Sequence, residues 1–198
     1  RQRHGLGRFV LHVGTLQPRK NIPVLIDAFA RLDDPALKLV LVGGKGWLYD
    51  DIFRQVQALG LAERVIFTGY VPDDDLPLWY NAAELLVFPS VYEGFGLPVV
   101  EAMACGTPVI ASSSSSIPEA VGTAGLLFDP DDVVTLANQM TAVLTNSDLR
   151  ATLRQQGLVH AQTFSWERAG QATAVVYHRA LQDKFATEGT EENEKKHL

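Results

Sequence analysis

Short apolar runs alternate along the chain with longer stretches of helical spacing, and this alternation constrains the fold more than any other feature. A short apolar run without polar alternation is typical of a strand that is buried on both faces. Strands that alternate with helices form a parallel sheet with right-handed crossovers. The sequence therefore predicts an α/β fold, a doubly wound, Rossmann-like parallel sheet of six strands with helices on both faces. The predicted strands cover residues 9–14, 37–42, 65–69, 84–88, 108–111 and 125–128.

The crossovers bring the carboxyl ends of all the strands to one edge of the predicted sheet. Ligands of doubly wound sheets bind outside those ends, at the point where the strand order reverses. With six strands, that point lies between the first and the fourth strand. We therefore expect a binding crevice between the loops that follow residues 14 and 88.

The composition is that of one globular domain, which we expect over residues 1–185. The chain has 198 residues, 46% of them hydrophobic, and its net charge of −6 argues against non-specific nucleic-acid binding. Its one cysteine, Cys105, excludes an intramolecular disulfide and fits a structural role in a reducing compartment. No apolar run reaches the roughly 20 residues of a transmembrane helix, so we expect a cytoplasmic protein. Residues 186–198 contain too few apolar side chains to offset the entropy lost on ordering, and we expect a disordered tail.

The loop after the fourth strand carries two carboxylates and two glycines around the start of a predicted helix. Glu93 lies in the loop, whereas Glu101 lies in the first turns of the helix. Gly94 and Gly96 allow backbone angles or close approaches that a Cβ would forbid, and Pro98 suits the first helical turn. A helix start attracts anions such as phosphate, and the carboxylates can accept from the diol of a ribose or a hexose. The alternative interpretation is a helix-start charge and a solvated loop side chain.

The loop after the first strand carries two adjacent cations, Arg19 and Lys20, in front of another predicted helix. Asn21 is expected to cap that helix, and Pro23 suits its first turn. Cations beside the free amides of a helix start suit a diphosphate. A solvated basic pair is the alternative interpretation.

The other loops at this edge carry weaker signals. Gly43 opens a glycine-rich turn that lacks the G-x-G-x-x-G pattern, so a nicotinamide cofactor is not expected. Five serines follow the fifth strand, and the Ser-x-x-Glu pattern of Ser116 and Glu119 predicts an ordered loop that caps the next helix.

Several common classes of active site are missing from the sequence. No histidine has metal-ligand spacing, so no bound metal is predicted, and His12 in a strand interior is expected to be a satisfied core residue. A G-x-S-x-G elbow and a P-loop are also absent. Carboxylates for two diols and cations for a diphosphate describe a nucleotide sugar. Arg19 and Lys20 would stabilise the departing diphosphate, so no cofactor is required.

The stretch EGFGLP at 93–98, followed by EAMACGTPVI at 101–110, resembles the donor-site signature of family 4 (group 1) glycosyltransferases. The similarity runs from about residue 9 to about residue 181 and corresponds to the C-terminal half of such an enzyme. It implies the C-terminal domain of a GT-B fold. It also implies transfer of a sugar from a nucleoside diphosphate to a glycan or lipid acceptor, with retention of anomeric configuration. An N-terminal acceptor domain would be the missing partner, and through that domain the protein would contact the inner face of a membrane.

The resemblance assigns roles to individual residues. Glu93 would hold the hydroxyls of the donor sugar, and Glu101 would hold the ribose diol. The backbone near Tyr70 and Val71 would lie along the nucleobase, although simple loop packing is an equal interpretation of Tyr70. The other donor-binding positions that it implies are Gly14, Thr15, Gly43, Gly94, Phe95, Gly96 and Leu97.

One position departs from the family pattern. Many relatives carry arginine where this chain has Thr15, so more of the phosphate charge falls on Arg19 and Lys20. The stretch GTLQPRKN at 14–21 is similar to mannosyltransferase-like members, which favours GDP-mannose as the donor. A stand-alone nucleotide-sugar sensor or interaction domain without catalysis is the second hypothesis, because a fold alone does not specify a function.

Overall fold

The computed structural model describes residues 6–47 and 50–194, with side chains up to residue 182. Two compact units make up the chain, Arg1–Ala161 and Gln162–Leu198. Within the described ranges, no helix is both long and apolar enough to span a lipid bilayer.

The first unit is built on one parallel sheet. Its strands are β1 (Phe9–Val13), β2 (Lys38–Val42), β3 (Val65–Gly69), β4 (Leu85–Phe88), β5 (Val109–Ser112) and β6 (Leu126–Phe128). They lie in the order β3-β2-β1-β4-β5-β6, so the order reverses between β1 and β4. The predicted doubly wound topology is confirmed, and each strand boundary agrees with the prediction to within about one residue.

Helices cover both faces of this sheet. They are α1 (Ile22–Ala30), α2 (Asp50–Ala58), α3 (Leu76–Ala82), α4 (Leu97–Ala104), α5 (Ile117–Val121), α6 (Val133–Thr145) and α7 (Ser147–Ala161). A short 3₁₀ turn, Pro18–Lys20, precedes α1. Within the described residues α2 begins at Asp50, and residues 48–49 lie outside them.

The core consists of two apolar layers, one on each face of the sheet. In β1, Val10 contributes to one layer and Leu11 to the other, because successive side chains of a strand point to opposite faces. The first layer includes apolar side chains of α1, α2 and α6, and the second includes those of α3, α4 and α5. Burial on both faces explains why the strands read as continuous apolar runs.

The second unit contains one long helix, α8 (Trp166–Glu194). The Ser165 hydroxyl accepts from the backbone N–H of Arg168 at 3.1 Å and so caps its first turn. The helix continues past residue 185, where we expected the globular domain to end, through a stretch that contains good helix formers. The helical backbone thus includes much of the stretch predicted as a disordered tail, and residues 195–198 lie outside the described residues.

Candidate functional site

The cations of the first loop meet the carboxylate of the fourth loop at the point where the strand order reverses. The Nζ of Lys20 lies 2.6 Å from Oε1 of Glu93, and an Nη atom of Arg19 lies 2.8 Å from Oε2 of the same carboxylate. Lys20 is 6% exposed, and its ammonium also lies 5.0 Å from the centroid of the Phe88 ring. The structure therefore brings together the two cations predicted to stabilise a departing diphosphate and the carboxylate that the resemblance assigns to the donor sugar.

The backbone of the two loops is tied together as well. The N–H of Val91 donates to the carbonyl of Arg19 at 2.9 Å, and the guanidinium of Arg19 donates to the carbonyl of Tyr92 at 3.1 Å. Because each loop holds the other, the position of the cations is fixed relative to Glu93.

The ionisation of Glu93 is set by two opposing effects. Burial favours the neutral carboxyl, but hydrogen bonds from Lys20 and Arg19 outweigh it and lower the pKa of Glu93. The carboxylate is therefore charged at neutral pH and is the counter-ion of both cations.

The serine loop after β5 supports Glu93 from the other side. The hydroxyls of Ser115 and Ser116 donate to the carbonyl of Glu93 at 2.6 and 2.9 Å, and the N–H of Glu93 donates back to the Ser115 hydroxyl at 3.2 Å. The ordered loop was predicted, but its contact with Glu93 was not. The capping prediction for Ser116 is wrong, because its hydroxyl is used on Glu93 instead of the start of α5.

The turn between Glu93 and α4 offers backbone donors and open space. No described residue accepts from the N–H of Gly94 or Gly96. A Cβ at Gly94 would meet no atom within 4 Å, whereas Gly96 needs its glycine because φ is 101° there, at the N-cap of α4. Phe95 packs against the second core layer, and Leu97 is exposed. This geometry fits an anionic ligand at the start of α4.

The second carboxylate, Glu101, has different surroundings. It is exposed on α4, and its Oε2 accepts from the hydroxyl of Tyr80 at 2.7 Å. No cationic side chain in the described ranges forms a salt bridge with it. Its remaining acceptor sites are suited to neutral donors such as ribose hydroxyls.

At Gly14 and Gly43 other atoms approach the backbone too closely for a side chain. A Cβ on Gly14 would lie 3.1 Å from Cε of Lys20, and one on Gly43 would lie 2.1 Å from the carbonyl oxygen of Gly14. The missing side chains let the Lys20 side chain pack closely against Gly14 and let the two loop backbones touch. Thr15 and Tyr70 are exposed, and Tyr70 is 75% accessible.

Two predictions about polar side chains need correction. Asn21 does not cap α1, because its side chain donates to the carbonyl of Pro130 at 2.8 Å and its backbone is left-handed. His12 is completely buried, with Nδ1 3.1 Å from the carbonyl oxygen of Val87, but its Nε2 has no hydrogen-bond partner within the described part of the chain. It is therefore only half satisfied. Burial lowers the pKa of His12 to about 4, so the ring is neutral at physiological pH.

A wide groove of about 840 Å³ is lined by residues outside the cluster of Arg19, Lys20 and Glu93. Its lining includes Leu6, Phe9, Ile66, Val71 and Trp79, and it contains none of the cations or paired carboxylates described above. The candidate site is therefore marked by its charged side chains and its backbone donors. Among the described residues, no group of three or more His, Cys, Asp or Glu side chains could hold a metal ion.

Comparison with known proteins gives a consistent result. The family described as glycosyl transferases group 1 matches residues 2–159. The O-antigen chain mannosyltransferase B of Escherichia coli is 43% identical over 85% of this chain and 45% of its own length. The chain thus spans less than half the length of that relative.

Solved structures share the fold. Anabaena HepE in complex with UDP-glucose has a TM-score of 0.82 and 30% identity, over 90% of this chain and 51% of that chain. The C-terminal domain of a group 1 glycosyl transferase, LpcC from Francisella tularensis, has a TM-score of 0.74 and 25% identity, over 82% of this chain and 89% of that one.

Proposed function

The chain belongs to the glycosyl transferases of group 1, and we propose that it is the donor-binding half of a retaining enzyme. The enzyme transfers a sugar from a nucleoside diphosphate to a glycan or lipid acceptor. The observation that carries this proposal is the cluster of Arg19, Lys20 and Glu93 beside the start of α4, at the reversal of strand order. The site lies where doubly wound sheets bind their ligands.

The diphosphate binds to the cations and to the turn before α4. Lys20 and Arg19 supply positive charge, and the N–H groups of Gly94 and Gly96 supply donors at a helix start. During transfer, negative charge grows on the departing diphosphate as its bond to the anomeric carbon breaks. Two fixed cations stabilise that charge, so the chemistry requires neither a metal nor another cofactor.

The two carboxylates recognise different parts of the donor. A bound diphosphate competes with Glu93 for Lys20 and Arg19. This frees the carboxylate to accept hydrogen bonds from the hydroxyl groups of the sugar. Glu101, which forms no salt bridge with a described cationic side chain, accepts hydrogen bonds from the ribose diol. Val71 and the exposed Tyr70 lie along the base, and Gly14 and Thr15 flank the phosphates.

GDP-mannose is the donor that we propose. Its support is the 43% identity to a protein named as a mannosyltransferase, together with the similar stretch at 14–21. A likeness to HepE, which was solved with UDP-glucose, supports a nucleotide sugar in general. The acceptor wall belongs to an N-terminal domain, and the enzyme acts in the cytoplasm at the inner face of the membrane.

Binding calorimetry with GDP, UDP, GDP-mannose and UDP-glucose tests this proposal. The chain should bind one of the diphosphates. Glu101→Gln should weaken that binding about tenfold, because the ribose hydroxyls lose a charged hydrogen-bond acceptor. Glu63→Gln is the matched control, since Glu63 is exposed just before β3, at the opposite edge of the sheet. A chain that binds none of the four ligands does not have the proposed function.

A further inference from the structure

The hydroxyl of Tyr80 supports Glu101 from within the core. Tyr80 is 1% exposed, yet its hydroxyl reaches the surface carboxylate of Glu101 at 2.7 Å. Glu101 lies on α4 and Tyr80 on α3, so the hydrogen bond joins two helices that follow different strands of the sheet.

The chemistry of the pair makes Tyr80 a permanent donor. Burial raises the pKa of its hydroxyl, and the neighbouring charge of Glu101 raises it further, so the hydroxyl stays protonated. An ionised carboxylate only accepts, and it offers about four lone-pair sites. Tyr80 uses one of them, and the others stay available to a ligand.

Tyr80 is itself held rigidly. Its ring lies in the second core layer, and its carbonyl accepts from the hydroxyl of Thr107 at 2.7 Å. Thr107, which is also buried, lies just after the end of α4. The backbone of the tyrosine is therefore anchored to the segment that follows the helix whose carboxylate it holds.

An unrestrained glutamate on a helix surface samples several rotamers, and ordering it upon binding reduces affinity. Glu93 is ordered by two cations, but Glu101 has no cation in the described part of the chain. Tyr80 is the one described side chain that donates to it.

We propose that Tyr80 is a positioning residue that fixes the Glu101 carboxylate in the rotamer required to bind the ribose diol. This proposal rests on the proposed nucleotide-binding function. It does not make Tyr80 a ligand contact, because the hydroxyl acts on the nucleotide only through Glu101.

Tyr80→Phe tests the proposal with GDP and UDP and with the 2′,3′-dideoxy form of each. The variant should bind the preferred ribonucleotide roughly three- to tenfold more weakly than the wild type and should bind its dideoxy form unchanged. Tyr177→Phe, the same change at an exposed position of α8, should alter neither affinity. In the double variant with Glu101→Gln, Tyr80→Phe should cause no further loss.

The outcomes separate the two proposals. A wild-type chain that binds ribonucleotide and dideoxynucleotide equally overturns the ribose role of Glu101 and the role of Tyr80 with it. The other outcome is a wild type that binds the ribonucleotide more tightly than the dideoxynucleotide. If the affinities of Tyr80→Phe for the two ligands then fall by the same factor, the positioning role alone is overturned. Glu101→Asp is the second variant, and it leaves the buried tyrosine intact. The shorter side chain cannot reach Tyr80 and the diol together, so the affinity for the ribonucleotide should fall. Undiminished ribonucleotide affinity in Glu101→Asp would also overturn the proposal.

Discussion

The ammonium of Lys20 and the carboxylate of Glu93 form a 2.6 Å ion pair in which the two side chains are only 8% and 10% exposed. The partners are far apart in sequence and come together because β1 and β4 are neighbours in the sheet. A shielded pair of this kind couples the stability of the first unit to the site, because removal of one partner leaves the other charge poorly compensated.

Lys20→Met should therefore lower both stability and affinity. We expect the free energy of unfolding to fall by about 2 kcal/mol, less than the roughly 3–5 kcal/mol for an isolated buried charge, because Arg19 still pairs with Glu93. Nucleoside diphosphate binding should weaken by about 1.5–3 kcal/mol. Chemical denaturation and calorimetry measure the two effects.

Lys38→Met is the control for this substitution, since Lys38 begins β2 at the opposite edge of the sheet and donates to the carbonyl of Glu63. The double variant Lys20→Met/Glu93→Gln should recover part of the lost stability. If Lys20→Met binds nucleoside diphosphate as tightly as the wild type, Lys20 does not contact the phosphates.

Glu93→Gln should separate the diphosphate from the sugar. The carboxylate is the counter-ion of Lys20 and Arg19, so its removal frees both cations, and nucleoside diphosphate should bind at least as tightly as before. The nucleotide sugar should bind about 1.5–3 kcal/mol more weakly, because a charged acceptor is lost. Calorimetry with GDP and GDP-mannose, beside Glu63→Gln as control, checks this. Equal losses for the two ligands would show that Glu93 does not act on the sugar.

The fold was predictable from sequence because its signals are local. The strand and helix patterns and the glycine and proline positions each depend on a few neighbouring residues. The errors at Asn21 and Ser116 have a common cause. Each has a side chain suited to capping, but a carbonyl from a distant part of the chain competes for it, Pro130 in one case and Glu93 in the other.

The loops that form the candidate site were predictable from the sequence, but the hydrogen bonds that join their residues were not. The motif named Glu93 and Glu101, yet the residues that hold them, Ser115 and Tyr80, lie 22 and 21 positions away in sequence. Nothing in the local pattern around Tyr80 distinguishes it from an ordinary core aromatic. The run of serines was a signal for an ordered loop, but its partner became apparent only from the packing of β4 beside β5.

His12 should make the stability of the first unit depend on pH. Its pKa is about 4 in the folded protein, below the ordinary value of 6.5, so the unfolded chain binds the proton more tightly. The resulting stability is complete above pH 6.5 and is lost as the pH falls towards 4, by up to about 3 kcal/mol in total. Denaturant unfolding between pH 4 and 7 should show a smaller decline for His12→Phe than for the wild type. His178→Phe, on the exposed surface of α8, is the control and should follow the wild type.

The 198-residue chain by itself should bind a donor but transfer no sugar. It spans less than half the length of the mannosyltransferase that it resembles, and the proposed donor site lies on one wall formed by loops at the edge of the sheet. Closure of a second wall over such a site strengthens its electrostatics and excludes water, and it also positions the acceptor. Incubation of the purified chain with GDP-mannose and glycan or lipid acceptors should therefore show donor binding by calorimetry and no product by mass spectrometry. Product above the no-protein control that disappears in Glu93→Ala would show that the acceptor site lies within this chain.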